Sequence, residues 1–260
     1  MIDTAYTATG ALTGLAVGLT GVGGGALTTP ILLLFFGVSP TTAIATDLWF
    51  AAITKLVGAK IHHGAGQVDW QIVKRLWAGS IPMALLIVIF VSFGNPVTKV
   101  IWLTRAISIV VLITAFGMLF APLLWRLAKT KRIDNPQKFK AIQPALTVLG
   151  GAILGFCVAL TSVGAGALGS VMLLYLYPLR MTPHRLVATD LVHAIPLAMV
   201  AGVGYLFAGM VDWEILISLL LGSIPAITVG SLLARRIHGR WLQIMLAILL
   251  IVAGFKTLLV

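Results

Sequence analysis

Charge is what this sequence has least of. Only 10% of its 260 residues are charged, and the acidic share is seven side chains. An ordinary globular domain carries about a quarter charged residues, so this chain cannot build a water-facing surface around a core. Cysteine is nearly missing as well. Cys157 stands alone in an apolar run, which excludes a disulfide framework or a metal cluster within one chain. No phosphate-binding loop of the GxxxxGKS/T type occurs, so the chain holds no ATP engine. It has no HExxH, no cysteine pair and no convincing nucleophile–base pair, which argues against a membrane-embedded enzyme. The start, Met1-Ile2-Asp3, lacks the basic region of a cleaved signal peptide, so the first hydrophobic stretch is expected to stay in the mature protein.

What is present is apolar sequence. Hydrophobic residues make up 60% of the chain and mean hydropathy is +1.08. A spanning helix needs about 20 apolar residues, and several such stretches occur. The composition is too hydrophobic for a β-barrel, whose strands alternate around a polar lumen. The net charge of +11 would suggest nucleic acid in a soluble protein. Here it is read as Lys and Arg on short loops that orient membrane helices, and no nucleic-acid partner is expected.

The sequence also repeats itself. Thr20-Gly-Val-Gly-Gly-Gly-Ala-Leu27 recurs 141 residues on as Thr161-Ser-Val-Gly-Ala-Gly-Ala-Leu168. Ala45-Thr-Asp-Leu48, Gly66-Gln-Val-Asp-Trp70 and Gly79-Ser-Ile-Pro82 recur 143 residues on, at Ala188, Gly209 and Gly222. Four matches in one order mark a duplicated unit, a hallmark of secondary transporters. The expected organisation is a first membrane repeat over 1–125, a basic linker over 126–141 and a second repeat over 142–260. Each repeat breaks at its Gly cluster and resumes for about 11 residues (Ala26–Phe36; Ala167–Tyr177). Three longer segments follow, near 41–61, 70–93 and 98–125, then 183–208, 213–235 and 240–260.

Charge places the breaks. If each broken pair returns to its starting side, 15 of the 18 basic residues fall on the linker side, Lys55 counted among them; if it crosses once, the count is 11 against 7. The positive-inside rule favours the first arrangement. The expected fold is therefore all-α and polytopic: two inverted-topology repeats, each a Gly-broken re-entrant helix pair plus three transmembrane helices. Both termini would lie outside a bacterial inner membrane and the linker in the cytoplasm.

Irregular backbone is tolerated at membrane depth only where protein buries it or a watery cavity receives it. Gly10, Gly14 and Gly18 form a small-residue stripe read as close helix packing. The contiguous clusters at 21–25 and 164–166 instead mark where a segment turns, exposing free N–H groups of the following half-helix to an anion. Ser39-Pro40 and Thr182-Pro183 read as N-caps followed by Pro at the first helical position. Asp47 and Asp190 lie seven residues beyond those prolines, about 10 Å into the bilayer at 1.5 Å per residue. Carboxylates at that depth either tie down free amides of the broken helix or carry a coupled proton. His193 shares the face of Asp190, and its repeat equivalent is Phe50. Asp69 and Asp212, each beside Trp, read as interfacial caps. His62-His63 reads as headgroup-level sequence, since no third metal ligand is evident. Gly21–Ala26 and Gly164–Gly169 match the dinucleotide pattern by letters alone, but neither follows a strand.

At these residues the chain resembles the sulfite exporter TauE/SafE family of membrane permeases. The resemblance rests on Gly21-Val-Gly-Gly-Gly-Ala-Leu followed by Pro30, on Ser39-Pro40 leading into Ala45-Thr-Asp-Leu48, and on their repeats. The second copy departs from the first, with Ser162 and Ala165 in place of glycines. The resemblance implies transport of small sulfur-containing anions such as sulfite or organosulfonates. The mechanism expected is alternating access around a midplane site between the two breaks. Thr20, Gly23, Gly24, Gly25, Ala26, Thr161, Ser162, Gly164, Gly166 and His193 would bind the substrate, with Asp47 and Asp190 as coupling or structural carboxylates. No metal and no cofactor are expected. The other partners are the lipid bilayer, a coupling proton or sodium ion and, at most, a second copy in a homodimer. An anion channel is the alternative reading, and a membrane enzyme a more remote one.

Overall fold

The computed structural model describes residues 3–20, 25–61, 68–93, 105–106, 108–113, 115–117, 119–120, 123, 126, 136–163, 166–233, 248, 251–252, 254–256 and 258. Among them the elements are α-helices and no strand occurs: α1 (Thr4–Thr20), α2 (Gly25–Phe35), α3 (Pro40–Ile61), α4 (Trp70–Phe93), α5 (Pro136–Thr161), α6 (Ala167–Leu176), α7 (Pro183–Phe207) and α8 (Trp213–Leu233). The described residues between 105 and 126, and from 248 to 258, are helical too. Four helices are long and apolar enough to cross a membrane, over Trp70–Val91, Lys140–Thr161, Arg185–Phe207 and Trp213–Leu233. Helix α3 matches them in length, at 22 residues, but carries Asp47, Lys55 and Lys60. Helix α5 begins at Pro136, inside the stretch expected to be a linker; Pro suits the first helical turn, where its missing N–H has no intrahelical partner to lose.

The helix starts follow local chemistry. Ser39 Oγ accepts from Thr42 N at 3.3 Å ahead of Pro40, and Thr182 Oγ1 accepts from Arg185 N at 3.4 Å ahead of Pro183. Asp69 Oδ1 accepts from Ile72 N at 3.4 Å and Asp212 Oδ1 from Ile215 N at 3.1 Å, so each aspartate caps the helix that its Trp begins. Helix α7 ends on Gly209 at φ 66°, which lets Met210 N reach back to the Tyr205 carbonyl at 3.1 Å.

Small residues set the closest packing. Along α1, Gly10, Gly14 and Gly18 meet Leu219, Ser223 and Ile227 of α8 in that order; a Cβ on Gly10 would stand 2.1 Å from the Leu219 carbonyl oxygen. Along α5, Gly151 and Gly155 meet Leu76 and Ser80 of α4, the repeat equivalents of Leu219 and Ser223. Each pair therefore runs side by side in one direction. Helices α4 and α7 do the same, through Asp69–Thr189, Ser80–His193 and Val88–Gly204. Helix α2 runs against α3, with Thr29 meeting Asp47, and α6 runs against α7, with Gly169 meeting Asp190. Gly254 packs on Leu112 and Ser108.

The polarity of the bundle is inverted relative to a soluble protein. Its outer surface is apolar: Phe90 is 65% exposed and Leu232 65%. Its interior holds Thr46, Asp47, Thr54, Lys55, Ser80, Thr189, Asp190 and His193 among Leu48, Ala52, Ala194 and Leu197. Trp70 and Trp213, repeat equivalents, are 55% and 52% exposed at the starts of α4 and α8, as rings at a membrane–water boundary are.

Candidate functional site

The second break in the sequence is a break in the helix: α5 ends at Thr161 and α6 begins at Ala167. The first falls at 21–24, outside the described residues, between the end of α1 at Thr20 and the start of α2 at Gly25. Gly23, Gly24 and Gly164 lie outside the described residues, as do His62 and His63. Thr20, Gly25 and Ala26 are placed as helix backbone at the ends that face one another along the chain.

The second break is built from Thr161 and Ser162. Thr161 Oγ1 donates to the Cys157 carbonyl at 2.7 Å and accepts from Val163 N at 3.1 Å, so the hydroxyl holds the end of α5. Ser162 takes φ 58°, a left-handed conformation rare outside glycine, while its N–H still reaches the Val158 carbonyl at 2.7 Å. Its buried hydroxyl lies near the Asp47 carboxyl without meeting hydrogen-bond geometry. Gly166, ahead of α6, accepts at its carbonyl from Ser170 N (3.2 Å) and Ser170 Oγ (2.5 Å). The N–H groups of Ser162 and Val163 at this break are thus already engaged.

The two aspartates sit in unlike settings. Asp47 is fully buried; Thr29 Oγ1 donates to its Oδ2 at 2.6 Å, and Oδ1 has no hydrogen-bond partner among the described residues. Asp190 is buried against Gly169, whose missing side chain makes room for Oδ1, and that oxygen also has no partner among them. His193 is buried with Nε2 3.0 Å from Ser80 Oγ and Nδ1 without a partner among the same residues, while its carbonyl accepts from Trp77 Nε1 at 3.2 Å. Buried polar atoms are normally satisfied, so Asp47, Asp190, Ser162 and His193 each hold binding capacity in reserve.

Sequence reasoning placed Lys55 on a loop, and the structure corrects this. Lys55 is 3% exposed inside α3 and lies within charge–charge reach of Asp47, Asp190 and His193. Its repeat equivalent is Ala198, so no duplication advertised it. The one signal was its spacing, eight residues and two helical turns beyond Asp47. Asp69 is a second residue whose role grew: besides capping α4 it meets Arg180, whose Nη2 donates to Oδ1 at 3.1 Å. Arg180 Nε stands 2.6 Å from Oδ2, an ion pair whose angle falls outside hydrogen bonding. Among the described residues no group of three His, Cys, Asp or Glu side chains could hold a metal ion.

Comparison with known proteins gives the same class. Residues 6–257 match the family described as Sulfite exporter TauE/SafE. The chain is 37% identical over 252 residues to "Probable membrane transporter protein YjnA" of Bacillus subtilis (strain 168), covering 95% of this chain and 96% of that protein. It is 27% identical over 223 residues to "Probable membrane transporter protein YdhB" of the same organism, covering 85% of each. A "Probable membrane transporter protein" of Xylella fastidiosa (strain Temecula1) is 26% identical over 238 residues, 88% of this chain and 84% of that one. No solved structure matches. The names are those of transporters rather than enzymes. With its apolar outer surface, its polar interior and this match over nearly its whole length, the chain is a multi-pass membrane protein that belongs to the sulfite exporter TauE/SafE family.

Proposed function

We propose that this protein is a secondary transporter of small sulfur-containing anions, sulfite or a sulfonate, in a bacterial inner membrane. Two halves, 1–125 and 142–260, would be inverted relative to one another, joined by a cytoplasmic linker over 126–141, with the termini outside. Helix directions support that topology. Helix α1 runs with α8, and α8 meets α3 through Thr46–Asp212, with Phe50 in one apolar cluster with Leu216 and Leu219. Helix α2 runs against α3, so the chain doubles back between α1 and α2. The same reasoning through α4 and α7 doubles it back between α5 and α6. Helix α3 runs against its equivalent α7, since Trp49 Nε1 meets the Gly202 carbonyl while Lys55 faces Asp190.

The observation that carries the functional reading is the pair Asp47 and Asp190, equivalent in sequence and buried among apolar helices, each with an oxygen unpartnered among the described residues. Ionisable groups at membrane depth are costly and mark substrate or ion pathways. The solute would bind near the midplane among Thr20, Gly23–Ala26, Thr161, Ser162, Gly164, Gly166 and His193. The halves would then rock to expose it alternately, with a proton or a sodium ion coupled through the aspartates. Uptake of sulfite, sulfate, a C2 sulfonate and a carboxylate into proteoliposomes, with and without an imposed proton gradient, tests this. Saturable uptake of one sulfur oxyanion is expected. Uptake that scales with gradient and never saturates would replace the carrier with a channel, and uptake of none would remove the substrate class.

A further inference from the structure

Lys55 has no role in the reading above, yet it is a cation buried to 3% exposure inside α3 and within charge–charge reach of groups from both halves. It lies within reach of Asp47 on its own helix and of Asp190 and His193 on α7. The other groups nearby are engaged or neutral. Asp69 is held by Arg180 and by the start of α4, and Asp212 caps α8. Tyr205 donates to the Ala159 carbonyl at 2.8 Å, and α2 offers only the hydroxyls of Thr28 and Thr29. Four buried polar atoms without partners among the described residues (Asp47 Oδ1, Asp190 Oδ1, Ser162 Oγ, His193 Nδ1) belong to the groups within charge–charge reach of Lys55 or, for Ser162, lie near one of them.

We propose that Lys55 is the cationic anchor of the solute site, the group with which an incoming small oxyanion pairs, and that each anion bound brings a proton onto the aspartate pair. This rests on the transport reading. The reasoning is charge balance. One ammonium and two carboxylates sum to one negative charge, and a buried excess charge is expensive in an apolar interior. A monoanion, such as a sulfonate or hydrogensulfite, added to that cluster would make two. Protonating one carboxylate from bulk water restores the original balance while the ammonium pairs with the oxyanion. No covalent step is involved: one anion and one proton enter together. Binding therefore tightens as pH falls, because the proton is a co-ligand.

The test is titration calorimetry on the full-length purified protein with sulfite, sulfate, a C2 sulfonate and acetate, in two buffers of different ionisation enthalpy so that protons taken up are counted. Wild type is expected to bind a sulfur oxyanion with about one proton taken up per negative charge carried in, so one for the C2 sulfonate. Lys55→Met should weaken that binding by roughly 30-fold or more, and Lys55→Arg should retain it. Asp190→Asn, which keeps Lys55, should lower the proton count. Lys55→Met binding within threefold of wild type would overturn the anchor. If that variant does not fold, an unchanged proton count in Asp190→Asn would overturn the proposal instead. Wild type that binds none of the four anions would overturn the transport reading itself, a result distinct from binding that ignores Lys55.

Discussion

Thr29 Oγ1 donates to Asp47 Oδ2 at 2.6 Å, whereas Ser170, at the equivalent place in the second half, gives its hydroxyl to the Gly166 carbonyl at 2.5 Å. Beside it, Thr28 of the first half is replaced by Gly169, against which Asp190 packs. One carboxylate is thus held by a hydroxyl donor, and the other is bare of one among the described residues. Duplication made two aspartates, and divergence around them gave each its own setting.

The held carboxylate should matter for folding. Removing the donor leaves a buried carboxyl oxygen unsatisfied, which costs about 1–3 kcal/mol. Thr29→Val is expected to cost stability in that range, and Ser170→Ala less than about 1 kcal/mol, since its partner is a carbonyl in its own helix. Thermal melts of the two variants in one detergent compare them. Equal melting temperatures would remove the asymmetry.

The bare carboxylate should matter for coupling. Asp190→Asn is expected to flatten the rise of anion uptake with falling pH, since a group that cannot exchange a proton cannot link uptake to pH. Asp47→Asn should lower the folded yield and leave that slope in place. If Asp190→Asn keeps the wild-type rise of uptake with falling pH, the coupling idea fails for that carboxylate.

Much of this was legible from the chain because the signals are local. Ser39-Pro40 and Thr182-Pro183 announce helix starts whatever lies across the bundle, and the Gly clusters announce breaks. The interfacial caps Asp69 and Asp212 could be read beside their tryptophans for the same reason. Lys55 was not legible, because a lysine in the second half of a hydrophobic segment looks like a loop charge until Asp190, 135 residues away, is brought beside it. The link between Ser80 and His193 is equally remote in sequence. The crosswise bonds of Thr46 to Asp212 N and Thr189 to Asp69 N, both 3.1 Å, explain why two short motifs recur together: each half's Ala-Thr-Asp-Leu supports the other half's Val-Asp-Trp.

Among the described residues, Arg180 is an exposed partner of a buried aspartate. Its side chain is 45% exposed and that of Asp69 is 3%. Removing it strands a buried charge, which costs about 1–3 kcal/mol when the lost partner is half in water. Arg180→Ala should therefore destabilise the protein, and Asp69→Asn added to it should recover part of the loss. A double-mutant cycle on melting midpoints, with no coupling between the sites, would deny the pair an energetic role.

The glycine stripes give the most direct test of the packing. A Cβ on Gly10 would stand 2.1 Å from the Leu219 carbonyl oxygen, and one on Gly151 2.4 Å from that of Leu76. Both obstacles are backbone, so relief requires the helices to part along their length rather than one side chain to turn. Overpacking of this kind costs about 1–3 kcal/mol. Gly10→Ala and Gly151→Ala should thus lower the melting temperature by similar amounts, because equivalent residues meet equivalent carbonyls. Leu12→Ala, on the exposed face of the same helix, should change it little. If Gly10→Ala were harmless while Gly151→Ala was not, the two halves would not share one packing scheme, and the symmetry on which the rocking mechanism depends would go with it.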